Sequence, residues 1–140
     1  YILGHTRGLP SQMQLNTHYD DLLGDLVKHF SRSLDTLYRK GVKDVILDPC
    51  FGFAKTLEQN YFLLYHLDEI TSLFNEPLLV GVSRKSMICN RLNCSHEEAL
   101  NGTTALNTLA LSQGARLLRV HDVRQAYEIV SLLTVNNDAK

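Results

Sequence analysis

Four short runs of nearly continuous apolar residues, Tyr1 to Gly4, Asp44 to Leu47, Pro77 to Val82 and Arg116 to Val120, punctuate a chain whose other stretches carry a helical period. A strand with one wet face alternates apolar and polar side chains. A strand that is apolar almost without interruption is buried on both faces, as in a parallel sheet covered by helices. Between the runs, Leu22, Leu23, Leu26, Phe30, Leu34 and Leu37 recur at spacings of three and four, with Asp21, Asp25, Lys28, Arg32 and Lys40 on the other side. That pattern predicts one long amphipathic helix, ended by Gly41, which is free to take the left-handed C-cap conformation. Thr56 and Gln59 have the spacing of a capping box that opens a helix with its apolar side from Leu57 to Phe74. Ser95 and Glu98 have the same spacing ahead of a helix running to about Ser112, where Gly114 closes it. Asp122 is placed to cap a last helix reaching about Leu133, and residues 136–140 form a polar tail expected to fray.

The order is strand, helix, strand, helix, strand, helix pair, strand, helix, with no linker or repeat, which is an α/β protein with parallel strands. A (β/α)8 TIM barrel takes ~250 residues. Four such units, over residues 1–135 of the 140, amount to half of a TIM barrel, four parallel strands with flanking helices, or to an open parallel sheet.

Fourteen basic against fifteen acidic residues leave a formal charge of -1, so no overall field favours nucleic acid or an anionic membrane, and anion recognition has to be local. No apolar run approaches the ~20 residues of a membrane-spanning helix. Cys50, Cys89 and Cys94 are sparse and lack the C-x-x-C spacing of a zinc site, which reads as reduced thiols in a cytoplasmic protein. The chain opens on Tyr1-Ile2-Leu3, without an initiator Met or a signal-like stretch. We expect that it starts inside an element and that partner sequence lies upstream.

In a parallel α/β architecture, chemistry collects at the C-terminal ends of the strands. After the first strand come His5-Thr6-Arg7-Gly8 and Met13-Gln14, a weak anion contact for which a plain structural role, His5 bonding a neighbouring strand end and Arg7 a solvated loop charge, is the stronger explanation. The second strand ends in Asp48-Pro49-Cys50-Phe51-Gly52-Phe53-Ala54-Lys55. An acid at the mouth of a buried sheet loses hydration and calls for hydrogen-bond donors, which the guanidine-like edge of a heterocycle supplies and which a local Lys or Arg supplies equally well. Phe53 is suited to covering a flat substrate, whereas Phe51 reads as core. The third strand ends in Gly81-Val82-Ser83-Arg84-Lys85-Ser86, where hydroxyls, cations and free amides meet at a strand-to-helix turn. In the fourth, Arg119 and His121 alternate onto one side, and Asp122 reads as a helix cap. No serine elbow, H-E-x-x-H or G-x-x-x-x-G-K-S/T loop is present.

Leu47-Asp48-Pro49, Gly52-Phe53-Ala54-Lys55, Gly81 to Ser86 and Arg119-Val120-His121-Asp122 occur in the order found in the dihydropteroate synthases, and the chain resembles the C-terminal half of that family, strands five to eight of its barrel. The resemblance implies displacement of pyrophosphate from 6-hydroxymethyl-7,8-dihydropterin pyrophosphate by the amine of p-aminobenzoate. It further implies that Asp48 holds the amino and ring N–H edge of the pterin, Lys85 the acceptor edge, and Arg119 the ring face. Arg119 and His121 would together receive pyrophosphate, and Phe53 and Ser86 would frame the p-aminobenzoate. Lys85, Arg119 and His121 are thereby catalytic candidates. Lys55, Gly81, Ser83 and Arg84 join Asp48, Phe53 and Ser86 as substrate contacts, and no metal-ligating residue is assigned. Magnesium accompanies the pyrophosphate in that family, with its ligand outside this chain.

Two glycines usual in the family's loop are Cys50 and Ala54 here, and a usual Met before His5 is Gly4. Cys50 strains the loop if its position needs positive φ, and Gly4 is expected to leave a gap beside the pterin. Two open sheet edges call for a homo-oligomer or for pairing with the missing N-terminal half. The competing readings are a pterin- or anion-binding half-barrel without turnover, and the pterin domain of a folate-dependent methyltransferase, against which the Ser83-Arg84-Lys85 and Arg119-Val120-His121 sequences argue.

Overall fold

The computed structural model describes residues 1–9 and 11–134, so the expected polar tail lies outside the described residues. Strand β1 (Ile2–Gly4) leads through a single 3-10 turn (Met13–Leu15) to helix α1 (Leu22–Arg39). Asp21 caps α1 by accepting from the Gly24 amide at 2.9 Å. The stripe Leu22, Leu26, Phe30 and Leu34 is buried, as the spacing predicts. The chain then leaves α1 through Gly41, whose φ of 84° is the left-handed turn expected there.

Strand β2 (Ile46–Asp48) is followed by α2 (Leu57–Tyr65) and α3 (Leu67–Leu73), where the periodicity predicts a single helix. His66 makes the break. Its Nδ1 reaches the Phe62 carbonyl at 2.7 Å, the acceptor that its own backbone amide would take in an unbroken helix. That amide bonds Leu63 instead, at 3.2 Å. The Thr56–Gln59 capping box of α2 forms with both of its hydrogen bonds.

Strand β3 (Leu79–Val80), helices α4 (Ser86–Leu92) and α5 (Leu100–Ser112), strand β4 (Leu117–Leu118) and helix α6 (Val123–Thr134) complete the order. The Ser95–Glu98 box also makes both bonds, at 2.9 and 3.4 Å, but it closes turns, and α5 starts only at Leu100.

The strands form two parallel pairs, β1 with β2 and β3 with β4, rather than one four-stranded sheet. A single parallel bridge between Leu47 and Leu78 spans the gap. Pro77 limits the join: its carbonyl accepts from Leu47 at 3.0 Å, but it has no N–H to extend the ladder toward Val45. The register sets Gly4 beside Asp48 and Val80 beside Leu118. Behind the strands, Leu26, Phe30, Leu47, Leu63, Leu64, Leu67 and Val80 are fully buried. Ile2 on β1 remains exposed, as do Val123, Tyr127, Leu132 and Leu133 on α6. Among the described residues, no helix is long and apolar enough to cross a membrane.

Phe30 ties α1 to the end of α3, with its ring perpendicular to that of Phe74 at 5.9 Å. Phe30→Ala is expected to cost ~4 kcal/mol of unfolding free energy, read as a lower denaturation midpoint with an unchanged slope.

Candidate functional site

Because the strands point the same way, the C-terminal ends of β2, β3 and β4 open onto one hollow of about 290 Å³. Of the residues singled out from the sequence, Asp48, Phe53, Gly81, Ser83, Lys85, Arg119 and His121 line it, joined by Cys50 and Val120. Asp48 is 6% exposed. Its Oδ1 accepts from the Cys50 amide at 2.7 Å, while among the described residues its Oδ2 has only a long contact, 3.8 Å, with Arg119 Nη1. The Arg119 side chain is 62% exposed, so that pair is loose and both groups retain capacity for a ligand.

Lys85 stands at the N-cap of α4. Its Nζ donates to the Phe51 carbonyl and lies 4.9 Å from the Phe53 ring centroid. Burial lowers its pKa from the ordinary lysine value, an effect opposed chiefly by the negative charge of Asp48 and assisted by Arg119. Ser83 and His121 are coupled: Oγ lies 3.0 Å from Nδ1 and accepts from the His121 amide at 3.2 Å.

The loop after β2 is held from several directions. Gly52 donates to Asn60 Oδ1 at 2.6 Å, its carbonyl accepts from Gln14 at 2.7 Å, and Tyr19 donates to the Ala54 carbonyl at 3.0 Å. Lys55 turns away from the hollow. It is 4% exposed, and its Nζ donates to the carbonyls of His5, Cys50 and Phe53 at 3.2, 3.4 and 3.1 Å. Burial is the main reason its pKa drops to about 8. These bonds hold Cys50 and Ala54 at φ of 54° and 51°, so both departures from glycine occupy left-handed positions.

Arg84 is also outside the hollow. Its guanidinium grips Asp122 through Nε–Oδ2 at 2.9 Å and Nη2–Oδ1 at 2.5 Å. The carboxyl of Asp122, expected to cap α6, is thus engaged in tying the β3–α4 turn to the β4–α6 turn, and the hydrogen bond from Arg84 holds its pKa below the usual range. Ser86 is exposed at the start of α4 and does not line the hollow.

At the end of β1, His5 and Arg7 both bind Asp25 of α1, a partner the periodicity assigned only to the polar face of that helix. Arg7 also lies 3.9 Å over the Tyr19 ring. Asn60, the other member missed, sits buried among the apolar positions of α2, and a polar residue in that stripe was its sequence signal.

Among the described residues, no group of three or more His, Cys, Asp or Glu side chains is arranged to hold a metal ion. The single acid at the hollow, Asp48, is already engaged with the Cys50 amide. These residues do not make a magnesium site.

A family model described as "Pterin binding enzyme" matches residues 1–121. The dihydropteroate synthase of Escherichia coli strain K12 is 40% identical over 140 residues, a match covering 99% of this chain and 49% of that protein. The crystal structure of Yersinia pestis dihydropteroate synthase with a sulfonamide drug complex superposes with a TM-score of 0.92 at 39% identity, covering 99% of this chain and 51% of that one. The dihydropteroate synthase of Thermus thermophilus in complex with 4-aminobenzoate gives a TM-score of 0.89 at 35% identity over 94% of this chain and 51% of that one. The chain spans about half the length of the curated relatives it matches.

Burial, reinforced by Lys55, lowers the pKa of His5 to about 4 against 6.5 for a free histidine. Its Nε2 donates to Asp25 at 3.1 Å, leaving Nδ1 as a buried acceptor without a partner among the described residues. Between those two pKa values the unfolded chain binds the extra proton. Stability is therefore complete above pH 6.5 and is expected to fall by up to ~3 kcal/mol as the pH drops toward 4. Denaturation midpoints across that window check this, and His5→Leu should flatten the slope.

Proposed function

The chain belongs to the family of pterin binding enzymes, and from that premise we propose that the whole protein is a dihydropteroate synthase in folate biosynthesis, of which this chain forms the C-terminal half of a β/α barrel. Its reaction joins 6-hydroxymethyl-7,8-dihydropterin pyrophosphate to p-aminobenzoate with loss of pyrophosphate. The observation that carries the reading is the convergence on one hollow of an acid with a free oxygen, a half-buried lysine, an exposed arginine, a serine–histidine pair and a phenyl ring.

The free Oδ2 of Asp48 accepts from the amino and ring N–H edge of the pterin, and Lys85 Nζ donates to the acceptor edge. A half-buried ammonium makes a stronger hydrogen bond than a solvated one. Arg119, long and loosely held, covers the ring face and reaches the pyrophosphate together with His121, whose Nδ1 is oriented by Ser83. Stabilising the charge that develops on the departing pyrophosphate is the main catalytic contribution. Phe53, at the mouth, borders the path of the aromatic amine and orients it toward the pterin methylene.

A similar structure in complex with 4-aminobenzoate supports that co-substrate. Magnesium, where used, is held by residues beyond those described, and no step depends on it here. The exposed apolar face of α6 supports association of two copies. This chain without the remaining half of the barrel binds pterin or its pyrophosphate but does not turn over, a reading favoured by its spanning about half of each relative.

In the whole protein, Lys85→Ala and Arg119→Ala are each expected to lower kcat/KM for the pterin pyrophosphate ~100-fold or more while thermal unfolding stays cooperative. Pyrophosphate release measures the first and circular dichroism the second. Near-normal kinetics in either variant would remove that residue from the assignment.

A further inference from the structure

Strands β1 and β2 run side by side with Gly4 opposite Asp48, and the chain leaves β2 through Pro49 into Cys50 at φ 54°. The left-handed turn is fixed from both sides of the residue: its amide donates to Asp48 Oδ1 at 2.7 Å and its carbonyl accepts from Lys55 at 3.4 Å. In this conformation the thiol is directed across the tip of β1. A Cβ built on Gly4 would lie 2.8 Å from Cys50 Sγ, and that sulfur is the one described atom within 4 Å apart from the adjoining residues. A side chain at position 4 therefore requires the Cys50 thiol to move from this position. Cys50 also lines the hollow with Asp48 and Lys85, and Gly4 does not, so the bulk at this corner of the pocket comes from the β2 loop and not from β1. Burial and the neighbouring Asp48 push the thiol pKa up to about 11, which keeps the sulfur neutral and suits it to packing rather than to attack.

We propose that the Gly4–Cys50 pair sets the floor of the ligand pocket, with Cys50 as a specificity-determining residue whose sulfur packs against the flat pterin ring and whose position is available only because residue 4 has no side chain. This rests on the pterin reading of the site. A polarizable sulfur against an aromatic heterocycle makes favourable contacts that a void does not. The gap expected at Gly4 from the sequence is filled from the neighbouring loop.

The test is a double-mutant cycle in the whole protein, with Gly4→Ala, Cys50→Ala and the two combined. Melting temperature and the calorimetric Kd for 6-hydroxymethyl-7,8-dihydropterin pyrophosphate are read for each. Cys50→Ala is expected to weaken pterin binding about tenfold and to leave the KM for p-aminobenzoate nearly unchanged. Gly4→Ala alone should lower both melting temperature and pterin affinity, because the overpacked sulfur has to move. In the Cys50→Ala background the same substitution should cost little or be favourable. If Gly4→Ala does not fold and the double variant does, the conflict between positions 4 and 50 is supported directly.

Additive effects in the cycle, or an unchanged pterin Kd in Cys50→Ala, would overturn the proposal while leaving the pterin reading intact. A wild-type protein that binds no pterin pyrophosphate would overturn that reading and the ligand class proposed here with it, and the wild type alone decides this.

Discussion

Parallel pairing is the constraint on which the rest of this chain depends. Parallel neighbours cannot be joined by a tight hairpin, so each connection crosses over through a helix, and each strand delivers its C-terminal end to the same side. The register that sets Gly4 beside Asp48 and Val80 beside Leu118 does this with strands of only two or three residues. Such short ladders supply few hydrogen bonds. The arrangement is held instead by the apolar layer behind it, in which Leu26, Phe30, Leu47, Leu63 and Val80 have no exposed surface. Dry support below and polar loops above give the strand ends a fixed base and a partly desolvated setting, in which hydrogen bonds to a ligand are stronger than in water.

On that base the loop after β2 is organised before any ligand arrives. Non-glycine residues in the left-handed region cost ~1 kcal/mol or more each, and this loop contains two, Cys50 and Ala54. The conformation persists because Lys55, Asn60, Gln14 and Tyr19 all bond its backbone. The strain and its clamps together aim the Cys50 amide at Asp48 and stand Phe53 at the mouth. Local strain at a ligand site, overdetermined by its surroundings, is a recurring form of preorganisation.

The strand ends were legible in the sequence because apolar runs bounded by Gly, Pro and charged residues have few other interpretations. The residues that follow the second, third and fourth runs then located seven of the positions that line the hollow. What was not legible is how each long side chain divides between fold and ligand. Arg84 and Lys85 are adjacent and both cationic, yet one grips Asp122 and the other faces the hollow, a choice made by the left-handed φ of Arg84 that no spacing encodes. Lys55 turned inward for the same kind of reason, since three carbonyls needed a donor. The division of the predicted 57–74 helix at His66 depended on a side chain competing with its own backbone, and the limit on the join between β2 and β3 on the missing amide of Pro77. Asp25 was hidden because a helix period assigns a face but not a partner 18 or 20 residues away.

The most direct measurement is a crystal structure of the whole protein with dihydropterin pyrophosphate bound. The N–H edge of the ring is expected within hydrogen-bond reach of Asp48, its acceptor edge at Lys85, and the pyrophosphate against Arg119 and His121. Density for the pterin at another surface, with the hollow between the strand ends empty, would contradict it.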